Sequence, residues 1–284
     1  MSTETKETRQ IMNGEPPKAQ PAKMDDNMPF LDHLEELRWR IIKGFIGIVV
    51  GIVIAFVFSG FMIDKVLLGP AHKDFFIYHL LHIHAENIDL QSRKLPGQFF
   101  AYWGTLAVMG AIIAAPYFFY QFYAFIEPAL ESDRRRKTKG IVAVISFLFI
   151  LGVAFGYLIL TPFALQFFTQ FKISDLVRNY FDINEYFSSM AMWIIACGVI
   201  FQMPMVTYFL TKIGILTPEF LKKYRRHAIV VCFILGAALT PPDPLSQALV
   251  AIPLIGLFQL SIFISKVTAK RRDKEIFGEA GRPT

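Results

Sequence analysis

The chain has 284 residues, of which 54% are hydrophobic, 15% aromatic and only 18% charged, with a formal net charge of +6. A soluble globule carries charge on about a quarter of its residues, so this chain has too little polar material to cover a water-facing surface. Composition therefore excludes an ordinary soluble domain and makes lipid the solvent for most of the chain.

From Met1 to about Met28 the sequence is polar and aperiodic, with Glu4, Lys6, Pro16, Pro17, Lys18, Pro21, Lys23, Asp25 and Asp26. Residues 1–28 are expected to form a disordered cytoplasmic tail. The stretch lacks the apolar core and small-residue cleavage site of a signal peptide, so the first span is expected to act as the targeting signal.

Next comes Phe30-Leu31-Asp32-His33-Leu34-Glu35-Glu36-Leu37-Arg38-Trp39-Arg40. Leu31, Leu34, Leu37 and Ile41 recur at helical spacing and predict an amphipathic lead-in helix, with Arg38, Trp39 and Arg40 as an interface anchor. Topology gives the adjacent glutamates no reason to be there. A carboxylate in this partly dehydrated zone is well placed to grip a guanidinium by paired, charge-assisted hydrogen bonds.

Six apolar runs follow, at 41–61, 99–125, 140–160, 186–210, 228–239 and 245–265. The first four are about 20 residues or longer, enough to cross a ~30 Å hydrocarbon layer. The fifth reaches only roughly 18 Å, and Thr240-Pro241-Pro242-Asp243-Pro244 then turns the chain into the sixth. Runs five and six therefore predict a short, shallow hairpin. Pro116, Pro162, Pro204 and Pro253 are expected to kink or end helices, and unequal kinked helices enclose a concavity.

Direction follows from the basic residues: 23 of the 29 Lys and Arg fall before span one, in the second–third and fourth–fifth connections and in the C-terminal tail. The positive-inside rule places both termini in the cytoplasm. The expected fold is an all-α integral membrane protein with six transmembrane helices, N-in/C-in, as a concave bundle over 29–266. A basic cytoplasmic tail occupies 267–284. The basic face suits anionic lipid head groups, and nucleic acid is not an expected partner.

Inside the spans, ionisable groups occur only near the ends, which argues against a self-powered ion or proton carrier. Two amides stand out. Gln202 lies roughly 13 Å in from the cytoplasmic end of span four, and Gln247 lies near the outer end of span six. Each needs a partner, as helix–helix glue or in a functional role. Cys197 and Cys232 lie in apolar runs and read as small packing residues.

Four segments together resemble the TatC family, the receptor subunit of the twin-arginine protein translocase. They are His33-Leu34-Glu35-Glu36-Leu37-Arg38, the run Tyr120-Gln121-Phe122-Tyr123-Ala124-Phe125-Ile126-Glu127-Pro128-Ala129-Leu130, Gly198-Val199-Ile200-Phe201-Gln202-Met203-Pro204 and Leu239-Thr240-Pro241-Pro242-Asp243. They stand in the family's order on a six-span frame, over about residues 30–266. The resemblance implies a non-enzymatic receptor in the bacterial inner membrane, with no cofactor. It would bind Arg-Arg signal peptides of folded cargo and recruit TatA- and TatB-type single-span subunits and other TatC copies. Glu36 matches the family's acidic receptor residue. Its second acid falls here on Arg134, so Asp133 or Glu131 is expected to supply that carboxylate. Phe125, Gln202 and Asp243 match positions tied to signal-peptide binding or receptor function, and Thr240 and Gln247 match a polar patch that contacts partner helices.

His79, His82 and His84 have a spacing that could hold a metal, but the interleaved Phe75, Phe76, Ile77, Leu80, Leu81 and Ile83 favour an amphipathic cap helix. No metal site is expected. A small-molecule secondary transporter predicts an inverted repeat or intramembrane charge, and neither occurs. An intramembrane hydrolase predicts a nucleophile–base arrangement, which is absent. A structural membrane scaffold is the other alternative.

Overall fold

A computed structural model of the chain describes residues 30–82, 87–126, 138–174, 176 and 179–279. The expected disordered tail lies outside them. Two units are distinguished, Met1–Trp39 and Arg40–Thr284. Helices α1 (Phe30–Val57), α2 (Phe76–Leu80), α3 (Gly97–Ile126), α4 (Thr138–Phe155), α5 (Thr161–Gln170) and α6 (Ile183–Ile200) are followed by α7 (Met203–Lys212), α8 (Pro218–Lys223), α9 (Arg225–Leu239) and α10 (Pro244–Glu279). π turns occupy Phe61–Leu67 and Gly156–Leu160, and a 3-10 turn occupies Gly69–Ala71.

Among the described residues, five stretches are long and apolar enough to cross a membrane: Glu35–Val57, Gly97–Ile126, Gly140–Gln170, Ile183–Lys212 and Pro244–Arg272. The protein is thus an all-α membrane protein. The fifth expected span, α9, has 15 residues and extends roughly 22 Å, short of the ~30 Å layer. It packs on α10 as the expected hairpin. Lead-in and first span form one helix, because no proline or turn signal separates Leu31 from Val57. The last helix also outruns its expected end near Ser265 and continues to Glu279.

The prolines divide into two classes. Helices run on through Pro116 and Pro253, so the expectation that every proline would end or kink its helix is not met as a helix end at these two. Pro162 instead follows the π turn, whose wider spacing relieves the clash with the preceding carbonyls. Span three consequently continues past its expected limit at 160 to Gln170. Thr161 donates its hydroxyl to the Gly156 carbonyl at 2.8 Å. At Pro204 the helix breaks over Phe201–Gln202, separating α6 from α7.

Helices cross closely where side chains are absent. A Cβ on Gly51 of α1 would meet the Gly110 carbonyl oxygen of α3 at 2.2 Å, and one on Gly152 of α4 would meet the Cys197 carbonyl oxygen of α6 at 2.6 Å. Such close approach is how helices associate in a solvent as apolar as they are. Cys197 and Cys232 are buried in one apolar cluster with Leu160, Trp193, Val250 and Leu254, as small packing residues should be.

Three phenols anchor the loop after α1. Tyr78 donates to the Pro70 carbonyl at 2.6 Å, Tyr186 to Leu67 at 2.8 Å, and Tyr157 to Val66. These carbonyls lie where the π and 3-10 turns leave acceptors without helical partners. Burial pushes the Tyr78 phenol above its ordinary range. Nearby, the cap segment α2 buries Ile77 and Tyr78 and leaves Phe76 and Leu80 exposed. His84 lies outside the described residues, and among those residues no group of three or more His, Cys, Asp or Glu could hold a metal.

One small sheet was not anticipated. β1 (Leu90–Gln91) pairs in parallel with β2 (Phe181–Asp182), Leu90 opposite Phe181. Asp182 ties the two loops: its carboxylate accepts from the Arg93 backbone N–H at 3.1 Å and from that of Asn184 at 2.9 Å. Those donors, Arg93 first, hold its carboxyl below the usual range.

Three substitutions test this packing. Gly51→Leu should lower stability by about 1–3 kcal/mol through overpacking, whereas Gly104→Ala, which would meet nothing within 4 Å, should melt like the parent. Tyr186→Phe should lose about 1 kcal/mol by leaving the Leu67 carbonyl unpaired. Thermal melts in detergent followed by size-exclusion chromatography would read all three.

Candidate functional site

The expected site residues fall into three places. Glu36 lies in α1 ahead of the apolar run, half-buried like Leu37, while Glu35, Arg38 and Trp39 are exposed. Glu36 thus lies within the helix Phe30–Val57. Glu131 and Asp133, the two candidates for a second carboxylate, lie outside the described residues.

The second place joins the end of α3 to α4 and α7. Tyr123, Ile145 and Met205 are buried together, with Phe119, Tyr208 and Phe209 packed against them. The Tyr123 and Phe209 rings are 5.9 Å apart. Phe125 sits two residues further along α3, half-buried. Gln202 reaches this cluster from the break before Pro204, donating its Nε2 to the Ile145 carbonyl at 3.2 Å. Its Oε1 is buried with no hydrogen-bond partner among the described residues. The amide thus works as helix–helix glue through its nitrogen and keeps an unused acceptor. Such an acceptor in an apolar setting favours a donor that arrives from outside.

The third place is the α9–α10 hairpin, where Thr240, Asp243 and Gln247 come together. Thr240 caps α9 and donates its hydroxyl to the Gly236 carbonyl at 2.9 Å. Asp243 caps α10: its Oδ2 accepts from the Ser246 N–H at 2.8 Å and from the Ser246 hydroxyl at 2.9 Å. Gln247 donates its Nε2 to the Phe233 carbonyl at 3.2 Å, fastening α10 to α9. With Pro244 at its first position, α10 starts as the Asp-Pro pair dictates. The hairpin residues are accordingly engaged in holding the turn, and Gln247 takes the packing role that its sequence left open.

Some polar contacts had no advance sign in the sequence. The Thr211 and Ser265 hydroxyls are 2.9 Å apart in a buried contact between α7 and α10, and Arg272 donates to the Thr211 carbonyl at 3.3 Å. No periodicity reveals such a pair. Asp182 was more accessible to reading, since Asp182 and Glu185 have the spacing of a capping box before an apolar run.

Long apolar helices, polar groups committed to caps and crossings, and a carboxylate leading into the first span together define a polytopic helical membrane protein. The model of the Sec-independent protein translocase protein (TatC) family matches residues 32–253. The TatC of Blattabacterium sp. subsp. Periplaneta americana is 40% identical over 261 residues, covering 87% of this chain and 98% of that protein. That of Aquifex aeolicus is 36% identical, covering 88% and 99%. Two crystal structures of the twin-arginine translocase receptor TatC align with TM-scores of 0.67 and 0.68, at 34% and 35% identity, over 83% and 82% of this chain and 99% of each of theirs. The chain belongs to the TatC family of Sec-independent protein translocase proteins, and is a translocase component rather than an enzyme.

Asp243 supplies a pH test of the hairpin. Hydrogen bonds from Ser246, its backbone N–H first, hold the carboxyl below the usual range. The cap therefore contributes fully above the unfolded value of about 3.9 and is lost as pH falls through the lower folded value. Asp243→Ala should lose about 1 kcal/mol at neutral pH. The melting-temperature gap to the parent should then close progressively below about pH 4.

Proposed function

We propose that this chain is the receptor and core subunit of a twin-arginine translocase, binding Arg-Arg signal peptides of folded cargo. The observation that carries the reading is the Glu36 carboxylate, half-buried in the helix that leads into the first span. At that depth a guanidinium finds an acceptor matched to its planar fork, with water partly excluded. Each charge-assisted hydrogen bond is worth about 1.5–3 kcal/mol. Lysine would supply the charge without the bidentate geometry, which gives a physical reason for arginine preference. Glu131 or Asp133 provides the second carboxylate in this proposal.

Beyond the arginine pair, the signal peptide meets the Phe125 and Gln202 region, where the buried Gln202 Oε1 offers an acceptor. The Thr240–Gln247 hairpin, stiffened by its own hydrogen bonds, is the surface for TatA- and TatB-type single-span subunits, and further TatC copies complete the assembly. The 23 basic residues clustered in the termini and two connections support an inner-membrane setting with both ends cytoplasmic.

Glu36→Ala and Glu36→Lys should each weaken binding of a labelled Arg-Arg signal peptide in detergent by at least about tenfold, the equivalent of one 1.4 kcal/mol contact. A Lys-Lys peptide should bind the parent about as poorly. Unchanged binding by folded Glu36 variants would remove the receptor role and favour a scaffold.

A further inference from the structure

At the Thr211 end of the helices the chain concentrates positive charge. Between Lys212 and Arg226 the chain carries five basic residues and a single acid, Glu219. Within this stretch α8 is short and amphipathic. Thr217 caps it by accepting the Phe220 N–H at 3.3 Å, and Leu221 is buried against Phe258 and Ile262 of α10. That seating turns Lys222, Lys223 and Arg226 outward into exposed positions. Phe220 and Tyr224 stay 51% and 42% exposed, with their rings 4.5 Å apart.

Arg225 has a separate task. With the Gln259 amide oxygen turned toward it, its guanidinium donates from Nε at 2.7 Å and from Nη2 at 3.1 Å. This fork fixes the start of α9 on α10. Beyond it, Val230 and Ile234 follow Arg226 at i+4 and i+8, on one helix face, and are 57% and 61% exposed. Along the chain, the cations and the aromatic pair of the elbow are followed by an exposed apolar stripe on the face of Arg226. A phospholipid presents the complementary order: phosphate, ester zone, acyl chain.

We propose that the α8–α9 elbow is a binding site for an anionic phospholipid. Lys222, Lys223 and Arg226 hold the headgroup phosphate, and an acyl chain lies along Val230 and Ile234. Arg225 positions the elbow through Gln259. The site uses neither Glu36 nor the hairpin tip, so its fate is independent of the signal-peptide reading.

The test is native mass spectrometry of the full chain in detergent, titrated with phosphatidylglycerol or with phosphatidylcholine of the same acyl chains. The parent should retain phosphatidylglycerol about tenfold more strongly, and the triple variant Lys222→Gln, Lys223→Gln, Arg226→Gln should lose about that factor. Phosphatidylcholine retention should not change. A Lys270→Gln, Arg271→Gln variant, neutralised on α10, should retain phosphatidylglycerol within about twofold of the parent. If the triple variant does not fold, Lys223→Gln and Arg226→Gln taken singly should each weaken retention. Equal retention of the two lipids by the parent, or equal losses in the α8–α9 and α10 variants, would overturn a discrete site. Displacement of phosphatidylglycerol by inorganic phosphate at equal concentration would overturn the lipid as its occupant.

Discussion

Hydrocarbon offers no hydrogen-bond partner, and this shortage shapes the irregular features of the described spans. A helix satisfies its own backbone, so trouble arises only where a helix must widen, break or turn. At several such places among the described residues a side chain supplies what the backbone lost. Tyr78, Tyr157 and Tyr186 donate to carbonyls of the turns after α1. Thr161 serves the π turn before Pro162, Gln202 bridges the α6–α7 break to α4, and Thr240, Asp243 and Gln247 close the hairpin. Several of the polar side chains in the spans thus already have a task.

That economy separates residues that maintain the scaffold from those available to a ligand. The hairpin residues are absorbed in their own turn, which makes the turn a stiff surface rather than a set of free binding groups. Gln202 is divided: its nitrogen is engaged and its oxygen is buried without a partner among the described residues. Glu36 lies before the apolar run, where charge is tolerated. A carboxylate placed deeper would be neutralised by its surroundings.

Packing without a hydrophobic driving force explains the glycines. Gly51 against Gly110, and Gly152 against Cys197 and Gly198, let backbones approach closer than any side chain permits. Dispersion over that contact replaces the expulsion of water that would drive a soluble core together. The loop tie through Asp182 and the two-residue strand pair performs a related task outside the apolar layer, joining segments far apart in sequence.

The sequence by itself determined the membrane class, the long helices, the shortness of the fifth run and the placement of Glu36 before the first. These follow from composition and local periodicity, which depend on the solvent and on neighbours three or four residues away. The family resemblance was legible for the same reason, because its motifs are contiguous. Tertiary structure alone decided that Pro116 and Pro253 leave their helices unbroken while Pro162 and Pro204 sit at interruptions. It also decided that Thr211 meets Ser265, that Asp182 joins two loops, and that Gln247 fastens the hairpin. Each of these depends on which distant backbone group arrives opposite a side chain. One-dimensional spacing carries no record of that meeting.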